Sequence, residues 1–406
     1  MDREEEVTII EQVLSFMESN KSHMEGEVST ISAERYTSPE RLEREREILF
    51  RRFPIVVGFS SELREPGSFL THNHTGVPIL VTRDEHGGLN AFVNRCRHRG
   101  TQLACERSER QLRHLVCPYH SWAYDLRGNL RVIPQAAGFP DIDRAQLGLC
   151  RLPVAERYGM IFVVPTSGAT LDIDAFLGPV LQDLGYFGFD DFVVDRAHET
   201  THPFNWKLHM DATLEMYHIP YLHSRTAGGL DFQATGPHRY ERPHLRMVLP
   251  LKSLMQFKQK PQHLWHLPSR SALIWFIFPN TTIFFMQGIA HVTSLFPVDA
   301  DHCRLSSTMV GKSGEDDERQ KQRLDIAHKG FWAIMEEDHL VCDSIQIAAH
   351  AGGVREYVLG KFEAGVTRFH ATLDDALDHA FVAPGVTFVT EESEPHVLLV
   401  VPGNSI

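Results

Sequence analysis

The sequence is short of cysteine, short of positive charge and without long apolar runs, and each shortage removes a class of function. Six cysteines among 406 residues are too few for a disulfide framework. A reducing cytoplasm is therefore the default, and paired Cys/His spacings point to metal. Lys and Arg number 40 against 53 Asp and Glu, a net charge of −13 with His neutral. Phosphate backbones need a basic face, so nucleic acid is disfavoured as a partner. No stretch approaches the roughly 18 apolar residues of a membrane span. The most apolar run, ALIWFIF at 272–278, is strand-sized. The start of the chain has no basic segment followed by an apolar one, so no signal peptide is expected. Internal repeats and low-complexity linkers are absent as well.

What is present is ordinary in bulk: 42 % apolar and 23 % charged residues, as in soluble globular proteins. The length exceeds one ordinary core and suggests two domains, or one with a large insert. The 25 Phe allow a wide apolar core or pocket. Residues 1–35 are acidic, with Ile9, Ile10, Val13, Leu14 and Met17 at helical spacing. Ser38 and Pro39 form a cap and a first-turn proline, and predict a helix over SPERLEREREILF that ends near Arg52. From about 54 to 165, short apolar runs (IVVGF, PILVTR, LNAFV, HLVC, MIFVV) are broken by Gly, Pro, Asn and Asp. This reads as a small all-β unit. Beyond 166, helices and strands mix. A helix around 203–219 should end at Pro220, with strands near 245–250, 272–278, 282–287, 290–297 and 303–310. A long helix over about 315–350, a shorter one near 372–381 and a last strand in VLLVVP follow.

The stretch 94-NRCRHRGTQLACERSERQLRHLVCPYHSW-122 carries Cys96 and His98 as C-x-H, then Cys117 and His120 as C-x-x-H. Cys/His loops at this spacing can bind a tetrahedral metal. Structural zinc usually takes cysteines from one knuckle and histidines from the other, whereas here each loop supplies one of each. A two-iron cluster with two His on one iron and two Cys on the other needs that mixture, because both loops must reach both irons. Neutral imidazoles in place of two thiolates raise the reduction potential, so such a cluster passes single electrons. Zinc, and four unrelated residues in a β unit, are the competing readings. Arg95, Arg97, Arg99, Arg107, Arg110 and Arg113 crowd these loops, against Glu106 and Glu109. On an acidic chain this patch suggests docking of an acidic electron donor; a solvated loop whose arginines bond nearby carbonyls is the alternative.

CRHRG followed by CPYHSWAYDLRGNL resembles the Rieske domain of the aromatic-ring-hydroxylating oxygenase α subunits, a Rieske non-haem iron oxygenase family. The resemblance runs from YTSPERLEREREILFRR to the C-terminal helix. It implies an α+β protein. N-terminal helices at 1–52 pack on the catalytic domain, a small all-β Rieske domain fills 53–165, and a larger helix-grip (START-like) catalytic domain fills 166–406, with an antiparallel sheet and a long C-terminal helix. Cys96, His98, Cys117 and His120 would hold the [2Fe-2S] cluster. The gap of 18 residues from Arg99 to Val116 is slightly longer than the family's, and Ser121 stands where glycine is common.

A second constellation lies in 205-NWKLHMDATLEMYHIPYLH-223. His218 and His223 would sit either side of a bend at Pro220, so that both imidazoles converge; in a chain with 24 His, two ordinary histidines are the alternative. In the long helix, Leu324, Ala327, Phe331, Ile334, Val341 and Ile345 form an apolar stripe, and position 338 on it is Asp. A carboxylate on a buried face needs a partner or a metal. Glu336 and Glu337 lie to the sides and can be solvated. An Asp338 paired with a basic side chain, or a stripe counted out of phase, stays open. Two His and one carboxylate suit non-haem Fe(II) and dioxygen.

NWK…D-x3-E-x-Y-H-x4-H is also similar to the family's catalytic motif. The resemblance makes His218, His223 and Asp338 the iron ligands, Asn205 the asparagine near the iron, and Glu215 the acid that bridges to a cluster-ligand His of the neighbouring subunit. Glu215, one turn before His218 on the same helix face, is otherwise a surface residue. Ala212 departs from the family, in which asparagine follows the acid at Asp211. A homotrimeric ring, dioxygen, and electrons from NAD(P)H through a ferredoxin or flavin reductase are implied too. Leu214, Leu222, Phe276, Phe278, Phe284 and Phe285 are pocket candidates by composition, or plain core. The function expected is oxygen insertion into an aromatic or related apolar compound. The alternatives are a monooxygenase acting on an N- or O-methyl group, an electron-transfer protein using the cluster alone, and a zinc-stabilised binding protein.

Overall fold

The computed structural model describes all residues except 20, 22, 106–111, 232–238, 313–317 and 389–406. The chain divides into two units, one of Met1–Phe50 with Asp174–Ala383, the other of Arg51–Ile173 with Pro384–Ile406. The expected division gave everything after 166 to one domain. The described residues 384–388 group instead with the smaller unit, where Val386–Phe388 pairs antiparallel with Ala169–Leu171. The expected last strand, VLLVVP, lies outside the described residues.

The smaller unit is all-β in its described core. Ile55–Phe59, Ile79–Arg83, Leu89–Val93, Leu115–Val116 and Met160–Val163 are strands where the apolar runs predict them. Phe69–His72, Ala123–Tyr124, Leu130–Val132, Arg151–Leu152 and Val154–Arg157 are further strands, each too short to register as a run. They build one four-stranded and two three-stranded antiparallel sheets. Phe92, Trp122, Tyr124, Leu80 and Leu126 fill the core, together with Cys96 and Cys117.

The larger unit is built on a seven-stranded antiparallel sheet. Its order is Phe192–His202, Cys303–Lys312, Ile289–Pro297, Thr281–Met286, Ser271–Ile277, His244–Pro250, Arg239–Glu241. The five apolar strands match the expectation. The long edge strand FVVDRAHETTH escapes it, since only its first residue is buried and most residues after Val194 are polar. At the start of His244–Pro250, His244 is buried, places Nε2 2.7 Å from the Phe176 carbonyl and accepts the Phe278 amide at Nδ1, 3.2 Å away. Met286 turns into Ile289 through Gln287 and Gly288, both at positive φ (53° and 81°), the two-residue hairpin turn that suits the twist of paired strands.

Glu318–His350 is one helix and lies on the sheet: Leu324 packs with Ile289 and Met309, and Phe331 stacks on His291 with ring centroids 3.9 Å apart. Its buried positions are Leu324, Phe331, Asp338, Cys342 and Gln346. Asp338 is thus on the inner face as expected, but the stripe continues through Cys342 and Gln346, while Val341 is 40 % exposed. The expected helix near 372–381 begins earlier, at Ala364, and ends at Leu377. Among the described residues no helix is long and apolar enough to cross a membrane.

Trp206–Thr213 is wedged between these layers, with residues 206–210 all buried. Lys207 is buried and ion-paired to Glu45 at 2.8 Å; Glu45 also accepts from Trp206 Nε1 at 2.9 Å and Arg41 at 3.0 Å. Burial pushes the Lys207 ammonium down, and Glu45 opposes that shift. Glu45→Ala leaves the ammonium and the indole N–H without their acceptor. It should destabilise the larger unit by about 3–5 kcal/mol, the usual penalty for orphaning a buried charge, read as a lower thermal midpoint.

Candidate active site and cluster loops

The helix that carries the motif is shorter than expected. It stops at Thr213, and Pro220 opens the next turn, Ile219–Leu222, instead of closing the first helix. Proline lacks an N–H, which a first turn does not need. Glu215 sits at the break between the two. Its carboxylate accepts from the amides of Tyr217 and His218, and it contacts His218 Nδ1. Its place is therefore not one helical turn before His218, as the spacing suggests. His218 and His223 flank the short helix and turn both Nε2 atoms inward, 3.2 Å apart.

Asp338 comes from the long helix to meet them. Its Oδ1 lies 2.9 Å from His223 Nε2 and 3.5 Å from His218 Nε2. One ligand atom from each of these three residues lies within 4.8 Å of the others, and among the described residues no other group of three His, Cys, Asp or Glu does this. Glu337, expected in solvent, instead lies 2.7 Å from His223 Nδ1 and accepts from Thr226 Oγ1 at 2.6 Å. Both histidines therefore face a carboxylate at Nδ1. A proton there fixes the tautomer and leaves each Nε2 a bare lone pair. Asp338 is buried, and its Oδ1 faces the two imidazole nitrogens. Two imidazole nitrogens and a carboxylate oxygen that converge this closely make a place suited to a cation. Burial disfavours charge on His223, but Asp338 and Glu337 outweigh it and hold its pKa above the usual imidazole value. The site thus draws positive charge, and its donor set fits mononuclear iron.

The triad forms the end of an apolar chamber of about 70 Å3, which His209, Ala212, Ile274, Thr282 and Met335 help to line. A second chamber of about 390 Å3 adjoins it and shares Ala227, Leu230, Phe284, Phe331 and Ile334. Burial keeps His209 neutral, its pKa down to about 4, and His291 in the outer chamber falls to about 3. Of the expected pocket residues only Phe284 lines these chambers. Phe285, its neighbour on the strand, points to the opposite face among Phe187, Phe189 and Trp275, and Phe276 borders a separate cleft. Phe278 and Leu214 are fully buried, and Leu222 is half-buried beside the ligand turn. Asn205 is also corrected. Its side chain caps the helix at Lys207 N and donates to the Ala300 and Tyr36 carbonyls, so it is not on the chamber wall. Of the lining from the long helix, Phe331 and Ile334 belong to the expected stripe, though not as a pocket, and Met335 lies outside it.

The cluster loops lie in the smaller unit. Cys96 follows the strand Leu89–Val93, and Cys117 follows Leu115–Val116. Both are buried and unpaired. The His98 and His120 rings approach to 4.5 Å between centroids, and His98 stacks on Trp122 at 4.9 Å. Each Nδ1 is buried without a hydrogen-bond partner, which fits metal ligation. One Cys and one His from each loop, with the two His rings side by side, fit a two-iron cluster. Tyr124 Oη receives the Arg97 amide at 3.0 Å and lies 3.4 Å from Cys96 Sγ. Ser121 closes the second loop at φ 57°, a left-handed conformation that explains why glycine suits this position. Arg95, Arg99 and Arg113 are exposed here, Arg97 is half-buried and Arg99 bonds Tyr119; Arg107 and Arg110 lie outside the described residues.

Comparison with known proteins matches both regions of the chain to known domains. Residues 53–146 match the family model for the Rieske [2Fe-2S] domain, and 189–379 match that for the ring hydroxylating alpha subunit (catalytic domain). Chloroplastic choline monooxygenase of Beta vulgaris is 29 % identical over 352 residues, 84 % of this chain and 76 % of that protein. The chlorobenzene dioxygenase subunit alpha of a Cupriavidus species is 31 % identical over 184 residues, 43 % of this chain and 39 % of that protein. The solved quaternary ammonium Rieske monooxygenase CntA superposes with a TM-score of 0.75 at 22 % identity, over 86 % of this chain and 95 % of that one. With a cluster domain followed by an iron-binding catalytic domain, the chain belongs to the Rieske oxygenase α subunits, oxidoreductases that carry a [2Fe-2S] cluster and a mononuclear iron.

Proposed function

We propose that His218, His223 and Asp338 hold the mononuclear iron, that Cys96, His98, Cys117 and His120 hold the cluster, and that the chain oxygenates an apolar organic molecule seated in the paired chambers. One observation carries this reading: three ligand atoms, two imidazole nitrogens and a carboxylate oxygen, converge on the wall of an apolar cavity. Bound there, iron supplies the dioxygen activation of a two-His, one-carboxylate site. Glu215 and Glu337 keep the two imidazoles in the metal-binding tautomer, and Phe284, Phe331 and Ile334 exclude water from the substrate side. Glu215 further serves as the electron bridge to a neighbouring subunit in a head-to-tail trimer. The arginines near the cluster form the docking face for an acidic reductase or ferredoxin, and the six free cysteines favour a reducing compartment such as the cytoplasm.

A second reading, oxidation of a methyl group on a quaternary amine with release of formaldehyde, is favoured by relatives that bear the names choline and quaternary ammonium monooxygenase. The Phe284 and Phe331 faces could receive such a cation, but among the described residues no carboxylate other than Asp338 lines either chamber. The apolar reading is therefore preferred. A single-turnover assay separates the two. The reduced protein is given labelled O2 and a panel of arenes, aromatic acids, steroids and N-methyl compounds. Labelled oxygen retained in an apolar product supports the first reading; formaldehyde with a demethylated amine overturns it in favour of the second.

Glu337→Gln should weaken iron binding about 10- to 100-fold, the usual cost of losing an outer partner of a metal-bound histidine. Chelator competition measures it, and the cluster absorbance should not change.

A further inference from the structure

We propose that the substrate is an elongated amphiphile with an anionic end, held by Arg323 while its slim far end reaches the triad. The inference rests on the paired chambers being the substrate site. One stripe of the long helix runs Arg323, Ala327, Phe331, Ile334, Asp338, and every member lines one or both chambers. A cation stands at one end of this stripe and the iron-binding carboxylate at the other, with apolar side chains between. Fifteen residues at the helical rise put about 22 Å between them along the axis.

The chambers differ in size in the same sense. About 70 Å3 beside the triad admits only the end of a molecule, while about 390 Å3 farther out holds its body. Arg323 is held at the outer chamber by neutral acceptors, the Gln287 carbonyl at 2.9 Å and Gln320 Oε1 at 3.0 Å. The tight turn at Gln287 and Gly288 presents that carbonyl. No carboxylate partner of Arg323 occurs among the described residues; the adjacent Asp325 is taken by Arg196 at 2.8 Å. His291, the other basic side chain of the outer chamber, is neutral. Among the described residues the guanidinium is thus the unmatched cation of the cavity and suits a carboxylate or another organic anion.

The test uses the iron-loaded holoenzyme with dodecanoate, methyl dodecanoate and hexanoate, with binding read by calorimetry and products by mass spectrometry after one turnover with labelled O2. Dodecanoate should bind at least about fivefold tighter than its ester, the upper range for an exposed ion pair. Hexanoate, too short to span the stripe, should bind more weakly than dodecanoate. Arg323→Gln should bring acid and ester to parity, Arg323→Glu should reverse the preference, and Arg323→Lys should keep part of it. Equal binding of acid and ester, binding of neither, or a preference that survives Arg323→Gln overturns the proposal. Labelled ester without a preference for the acid sinks this proposal and leaves the oxygenase reading of the chambers standing. Preferred binding of the acid with no labelled product from any probe supports the Arg323 site and counts against oxidation at these chambers.

Discussion

Asp338→Ala should empty the mononuclear site and abolish substrate oxidation while the red-brown spectrum of the cluster stays intact. Asp338 is the one carboxylate among three donors, and without it two neutral imidazoles remain. Since loss of an outer partner alone weakens a metal 10- to 100-fold, loss of a ligand should weaken iron by more than about 100-fold. The fold should tolerate the change. In the iron-free protein the change removes a buried carboxylate, a group that is costly to keep out of water. Iron content, visible spectrum and turnover separate these effects. Normal iron and normal turnover in the variant would show that another residue is the third ligand.

Glu215→Gln should leave both metals bound yet slow reoxidation of the cluster when substrate and O2 are added. The native carboxylate accepts from two backbone amides and faces His218 Nδ1. An amide presents one oxygen and one NH2, so it cannot serve all three donors. The His218 ring then loses its negative partner on the side away from the iron, and the proposed path to the neighbouring subunit loses its charged link. Stopped-flow decay of the reduced-cluster spectrum reads the rate. Decay as fast as wild type would remove Glu215 from the electron path and leave it a cap of the ligand turn.

Much of this was legible because the chemistry is local. C-x-H and C-x-x-H place one Cys and one His on each tight turn, and the helix stripe by itself puts Asp338 on the inner face. The stripe was read through Val341 when it continues through Cys342 and Gln346, because a helix 33 residues long drifts against any fixed repeat of three and four. Glu337 escaped for a related reason. Its position is lateral, but His223 and Thr226 come from a segment more than 100 residues away to meet it. Asn205 misled in the opposite direction. Asparagine serves equally at an iron or at a helix N-cap, and only its bonds to the Ala300 and Tyr36 carbonyls decide. Phe284 and Phe285 show the limit of composition: adjacent phenylalanines on one strand face a cavity and a core.

The neutral histidines of the larger unit set an acid limit on the fold. His244, wedged between the Phe176 carbonyl and the Phe278 amide, has its pKa pushed down to about 4 by burial, and His291, stacked on Phe331, to about 3. Unfolded, both take up a proton near pH 6.5; folded, both refuse it. Each therefore removes about 1.4 kcal/mol of stability per pH unit as pH falls from 6.5 toward its folded value. The loss begins in mildly acidic solution, above the range in which carboxylates titrate. The unit that holds the iron is on this account built for neutral or alkaline surroundings, whatever its substrate.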